Sequence, residues 1–335
     1  MLSELTELPE GFLTLKATEL HTILPGPTLI HLPGRREQPL FVSVLQHGNE
    51  DTGLQAMQNL LKKYQGKTLP RALSLFVGNI AAAREGVRRL ANQPDYNRVW
   101  PYDGIGLTLP EQFMMQAVIN VMSSRGVFAS IDIHNNTGLN PHYACINRLD
   151  DEFLHLARLF SRIVVYFTSP LGVQSHAFAR LCPSVTLECG KPGFTIGADH
   201  AAEFVDAVLH LAQFPGHPVP SHELDLFHTV ATVKVPQHVS LSVDDPSSEL
   251  SLVAEIDHYN FRELIPDTHI ADINQLDGFP LQAWDEKGND IASHYFKIEN
   301  GRLTTQRCVM PAMLTRDVEI IRQDCLCYLM ERIDM

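Results

Sequence analysis

The stretch "PLFVSVLQHGNEDTGLQAMQNLL", residues 39–61, holds the pattern that decides the fold. Its first half is apolar and β-rich, as in a strand buried on both faces of a parallel sheet. A polar break follows, and a helix-like stretch runs from Thr52 to Tyr64. His47 sits where the apolar run ends, with Glu50 three residues later. Three further runs have the same character: "ALSLFVGN", "GVFASIDIH" and "CPSVTLECG". Helices are expected between and after them over 110–124, 151–163 and 201–214. Strands alternating with helices predict an α/β fold with a mostly parallel or mixed, doubly wound sheet. The earlier segment "GFLTLKATELHTILPGPTLIHLPG" alternates polar and apolar residues and is expected to add antiparallel edge strands.

Near "FPGHPVPSHELD" the composition changes, with three prolines in a short span. Short alternating runs follow, among them "HTVATVKV", "SLVAEI", "HYFKI" and "VEIIR", separated by turn signals such as "DEKGND" and "IENGR". The expected organisation is a catalytic domain over 1–222 and a smaller β-rich domain over 223–335.

The polar residues that end the strand runs are the informative ones. His47, Asn79, His134 and Glu188 each follow a β-rich run. They therefore fall at the carboxyl ends of parallel strands, where open α/β sheets form their sites. Two histidines and one carboxylate, His47, Glu50 and His134, make a donor set suited to zinc, with a fourth position left for water. Residues three apart on a helical turn point the same way, so His47 and Glu50 can chelate one ion from the first turn of the following helix. Asp132, two residues before His134 on the same strand face, is placed to hydrogen-bond a ligand and orient it. An HxxE pair alone is weak evidence. A second copy, His200 and Glu203, occurs without a preceding strand and reads as a helix terminus.

Glu188 ends an apolar run, where a carboxylate is costly to bury unless it has a partner or a task. Beside a metal-bound water it would serve as general base. Arg84, Arg88, Arg89 and Arg98 crowd one segment of a chain whose formal net charge is −13. Arginine pairs with a carboxylate through two parallel hydrogen bonds. Arg98 with Asn97 reads as a substrate anchor, and Arg84 and Arg89 read as a solvated face.

The order His47-x-x-Glu50, Asn97-Arg98, "DIHNNTG" with His134, then Glu188 resembles the zinc carboxypeptidase-like superfamily. More narrowly, it is similar to the succinylglutamate desuccinylase/aspartoacylase family. The resemblance covers about residues 38–200, and the β-rich tail fits the family's layout. It implies one zinc ion per chain, held by an HxxE pair and a later histidine, with a distal glutamate as base. It also implies that Arg88, counted from Asn79, contacts substrate, and that Asn97 and Arg98 grip the substrate carboxylate. The loop "LANQPDY" and the phrase "CGKPG" depart from either named subfamily.

The expected activity is hydrolysis of the amide bond of an N-acyl amino acid. The alternatives are a metallocarboxypeptidase acting on small peptides and a non-catalytic ligand-binding relative. The acidic balance argues against nucleic acid and anionic membrane surfaces as partners. Homo-oligomerisation is compatible with the sequence. No apolar segment approaches the roughly 18–20 residues of a membrane span, and the acidic start lacks the pattern of a signal peptide, so a cytoplasmic location is expected. The six cysteines show no CxxC spacing, which suggests neither a disulfide framework nor a zinc knuckle. No GxGxxG, P-loop or GxSxG element follows a strand.

Overall fold

The structure, a computed structural model, describes residues 2–136, 138–276 and 278–334. It divides into two compact units, residues 1–135 with 142–225 and residues 136–141 with 226–335.

The first unit carries a mixed sheet. Its strands are β1 (Ser3–Leu5), β2 (Thr28–Leu32), β3 (Gly34–Val44), β4 (Leu69–Val77), β5 (Ala129–His134), β6 (Tyr143–Ile146), β7 (Ile163–Tyr166) and β8 (Ser184–Glu188). In space they run β1-β2-β4-β3-β5-β8-β6-β7. The four apolar runs form its centre: β4, β3, β5 and β8 are mutually parallel. β2 and β6 join antiparallel on either side. β4 and β5 are buried along their whole length, polar residues included: Arg71 and Ser74 in β4, and Ser130, Asp132 and His134 in β5.

Helices cover both faces. α1 (Thr52–Lys63) packs with α6 (Thr195–His210) on one side, against β3, β4 and β5. α3 (Pro110–Arg125) and α5 (Gln174–Phe178) contact β3, β5 and β8. Phe41, Phe76, Trp100, Met115 and Phe178 fill one core cluster. In it Phe41 stacks on Phe178 with ring centres 4.3 Å apart.

Several expectations are corrected. The helix expected over 151–163 ends at Phe160. Ser161 is extended, and the β-branched run from Ile163 enters the sheet as β7. The helix expected over 201–214 begins at Thr195 and stops at His210, so His200 and Glu203 lie inside it rather than at its start. Of the early alternating segment, Thr28–Leu32 is an antiparallel strand, whereas Ala17–Thr22 is a 3-10 turn.

The second unit is β-rich. Strands Asp225–Lys234, Cys327–Arg332 and Met310–Ala312 pair antiparallel in that order, with Gln282–Trp284 on the other edge of the first. Leu241–Val243, Leu250–Leu252, His269–Ile273, Arg302–Thr305 and Phe296–Glu299 form a five-stranded sheet. Leu250, Leu252, Ala271 and Leu303 are fully buried in its core. The run "VEIIR" is a helix, Val318–Gln323, because the Asp317 side chain accepts from the backbone N–H groups of Glu319 and Ile320 and caps it. "SLVAEI" leaves the sheet at Leu252 and turns into a 3-10 helix at Ile256. Among the described residues no helix is long and apolar enough to cross a membrane.

Phe41→Ala removes a fully buried ring from the stacked pair. The substitution is expected to destabilise the chain by about 3–5 kcal/mol, read as a lower urea midpoint.

Candidate active site

β3 does not run straight into its helix. Leu45 is buried and left-handed at φ 56°, an uncommon conformation for a branched residue that the surroundings must hold in place. The Leu45 carbonyl accepts from Asn79 N–H at 2.6 Å, and the Val44 carbonyl accepts from Gly78 N–H at 2.9 Å. The turn delivers Gln46 and His47 side by side at the carboxyl edge of the sheet. Gly48 then passes against α2 (Ile80–Glu85), where a Cβ would come within 2.2 Å of the Ala82–Ala83 backbone. Glu50 precedes α1 rather than standing on it. Its N–H donates to the His47 carbonyl at 3.2 Å, so a tight turn supplies the closeness that was expected of a helix.

His47, Glu50 and His134 are buried together, with one ligand atom from each within 4.8 Å of the others. Nδ1 of His47 lies 2.8 Å from Glu50 Oε1, and Nδ1 of His134 lies 2.8 Å from Glu50 Oε2. Each imidazole also meets a carboxylate with its far nitrogen. His47 Nε2 donates to Asp95 Oδ1 at 2.9 Å and His134 Nε2 donates to Asp132 Oδ2 at 2.8 Å. An ionised carboxylate only accepts, so both nitrogens of each ring face acceptors. With each ring neutral and its outer nitrogen protonated, the inner Nδ1 lone pairs turn to Glu50, where they and the carboxylate could share one cation. Three carboxylates (Glu50, Asp95, Asp132) crowd the two imidazoles, and the Arg88 guanidinium lies beside Asp95 and Glu50. The donor set of two imidazoles and one carboxylate, with carboxylates in excess around it, fits a divalent metal ion.

The titration of these groups follows from the same crowding. Burial opposes ionisation of Glu50, but His47 and His134 outweigh it and hold the carboxyl well below its usual range. Burial also opposes a proton on His134, and there Asp132 and Glu50 prevail, raising it well above the ordinary value. Asp95 is likewise driven down against burial, by His47 and then by Arg88 and Arg98.

The partners of the imidazoles are themselves fixed. Asp132, fully buried, accepts from Ser43 Oγ and, at 2.7 Å to both oxygens, from Gln46 Nε2. Gln46 Oε1 accepts from Trp100 Nε1 at 2.6 Å. A chain of buried hydrogen bonds thus runs from the Trp100 indole to the His134 ring. Asn135 closes the opposite side: its N–H donates to Glu50 Oε2 at 3.2 Å. Its amide reaches Thr52 at the start of α1 and the Gly190 carbonyl beyond β8.

Glu188 ends β8 in register with His134 on the neighbouring parallel strand, so both side chains leave the sheet on one face. Burial, then the charge of Glu188 and that of Glu50, push the Cys189 thiol well up. Burial and Glu188 do the same to Cys145, so both sites disfavour the thiolate form.

The arginine segment divides as follows. Arg88 donates to Asp95 Oδ2 from Nη2 at 2.9 Å and from Nε at 3.2 Å. Its Nη1 lies 3.7 Å from Glu50 Oε1, at the edge of the cluster. Arg98, in the 3-10 turn Tyr96–Arg98, is partly exposed and donates to the Asn97 carbonyl at 2.8 Å. Asn97 is buried; its Oδ1 accepts from Gln174 N–H at 2.9 Å and its Nδ2 lies 3.2 Å from His134 Nε2. The structure therefore brings Arg88 and Asn97 directly against the donor cluster.

Comparison with solved structures places this architecture. Succinylglutamate desuccinylase from Chromobacterium violaceum matches with a TM-score of 0.56 at 18% identity, over 90% of this chain and 86% of the other. A succinylglutamate desuccinylase/aspartoacylase from Rhodobacter sphaeroides matches at 0.57 and 14%, over 90% and 88%. Murine aminoacylase 3 matches at 0.57 and 14%, over 89% and 96%. The chain has the desuccinylase/aspartoacylase fold. No protein-family model and no curated protein matches its sequence.

Three residues that hydrogen-bond the cluster or its supports are absent from the sequence-based expectations. Asp95 had a signal, standing two residues before the Asn97-Arg98 pair in a polar loop. Gln46 and Asn135 had one too, each beside a histidine at a strand end. Asp95→Asn keeps the shape of the His47 support but removes its charge. Metal affinity, measured by competition with a chromophoric chelator, is expected to fall about 10–100-fold with an unchanged far-UV circular dichroism spectrum.

Proposed function

We propose that the chain is a zinc-dependent hydrolase that cleaves the amide bond of an N-acyl amino acid. The observation that carries this reading is the buried His47–Glu50–His134 cluster, each imidazole backed by its own carboxylate. The names of the similar structures, desuccinylase and aminoacylase, support the deacylase class.

His47 and His134 through Nδ1, and Glu50 through its carboxylate, would hold one zinc ion per chain. When bound, that ion supplies a water nucleophile at neutral pH by lowering the water's pKa from about 16 towards 7. Glu188 receives a proton at its carboxylate and passes it to the leaving amine nitrogen. Arg88 faces the charge that builds on the carbonyl oxygen, a contribution of roughly 3–4 kcal/mol for a well-placed donor. Arg98 takes the free carboxylate of the substrate through its planar fork, which brings the scissile carbonyl into register. Asn97 supports the anchor by holding the turn that carries Arg98 against Gln174. Asp95 and Asp132 keep the two imidazoles in one tautomer and one orientation.

Two variants separate these roles. Glu188→Gln is expected to keep the fold and its metal content and to lose about 100-fold or more in kcat; normal turnover on N-acyl amino acids would assign the base elsewhere. Arg98→Ala is expected to raise KM for carboxylate-bearing substrates by about 10-fold or more with a smaller change in kcat, and an unchanged KM would remove it as the anchor.

A further inference from the structure

At the end of the sheet opposite the metal cluster lies an open surface cavity of about 540 Å³, lined on one side by the exposed Arg35, Arg36, Lys67 and His210. Arg35 and Arg36 enter it from the start of β3, and Thr68 from just before β4. Tyr64 and Lys67 come from the turn after α1, and His210 from the last residue of α6. From Arg36 to Val44 the strand advances roughly 25 Å, at about 3.3 Å per residue, before the chain turns into His47. The cavity is therefore separate from the site described above.

Among the described residues four cationic or protonatable side chains line this space, and no carboxylate does. Among the described residues, Arg35, Arg36 and Lys67 form neither an ion pair nor a side-chain hydrogen bond, although the chain carries 39 acidic residues against 26 lysines and arginines. The acid that His210 reaches, Asp206 at 3.7 Å, is already engaged by Lys63 and by the Tyr64 hydroxyl at 2.6 Å. That bond pins the tyrosine ring as a fixed wall.

Positive charge is also stacked behind the wall. Gly34 lets β3 start so close to β4 that a Cβ there would lie 2.1 Å from the Arg71 backbone. Arg36 is thereby paired in register with Arg71. Arg71 is 1% exposed, spends its guanidinium on the Gln38 and Leu211 carbonyls and on the Phe128 ring, and leaves its Nε without a partner. Burial and then Arg36 push its pKa down to about 10. Like charges held together in this way are relieved by an anion.

The geometry points to this cavity as a binding site for a small, multiply charged oxyanion, gripped by Arg35, Arg36 and Lys67. Guanidinium forks pair two-to-two with phosphate or carboxylate oxygens, and Lys67 adds a point charge. The volume lies within the range of small-molecule pockets.

The test is isothermal titration of the metal-loaded protein with pyrophosphate and, separately, with tricarballylate. It is done at physiological ionic strength, where screening over about 8 Å suppresses diffuse attraction. One saturable site is expected for at least one probe, and the tighter of the two assigns the ligand's phosphoryl or carboxylate chemistry. Lys67→Gln should weaken binding about 10-fold, and Arg35→Gln/Arg36→Gln/Lys67→Gln together should abolish it. Glu50→Gln, which disables the metal cluster, should leave it unchanged, so the outcome is independent of the proposed hydrolysis. Absence of saturable binding by both probes would overturn the inference. So would binding that survives in the triple variant and disappears in Glu50→Gln, because the anion would then sit at the metal cluster.

Discussion

The contact on which the site depends is the sharing of one buried carboxylate, that of Glu50, between two imidazoles. A carboxylate removed from water is stable only with compensating charge or donors, and Glu50 has both rings and the Asn135 amide N–H. Each imidazole in turn is held from behind by an acid, so the five groups form a network whose members fix one another. Such networks are rigid when every member is satisfied. Rigidity here comes from strand ends rather than from loops alone: β3 delivers His47, β5 delivers Asp132 and His134, and β8 delivers Glu188. A conformationally costly residue, the left-handed Leu45, turns the chain out of β3 and sets Gln46 and His47 at the edge.

The distribution of charge gives the fold two different ends. At the carboxyl ends of the parallel strands, acids outnumber cations and invite a metal ion. At the amino ends of β3 and β4 the balance inverts, and Arg35, Arg36 and Arg71 collect there. A net charge of −13 reveals neither feature, since electrostatic recognition is local over about a Debye length. Fold likeness at 14–18% identity also leaves the site to be argued from its own groups, because one architecture can carry unrelated chemistries.

Several features were legible in the residues themselves. The four buried strands were readable because a strand covered on both faces is rich in apolar, β-branched residues. The positions of His47, His134 and Glu188 were readable because polar groups that end such runs are pushed to one edge of a parallel sheet. The pairing of Asp132 with His134 followed from the two-residue period of a strand. Tertiary structure alone decided the rest. It brought Asp95, 48 positions from His47, onto the outer nitrogen of that ring, and it joined Trp100 to Gln46 and Asp132. It moved Glu50 from a helix to a turn and made a helix of "VEIIR" through the Asp317 cap. Periodicity records only which face a residue presents to its own element. Partners distant along the chain, caps and turns are settled when elements pack, because buried polar groups must then find whichever donors and acceptors the fold has placed beside them.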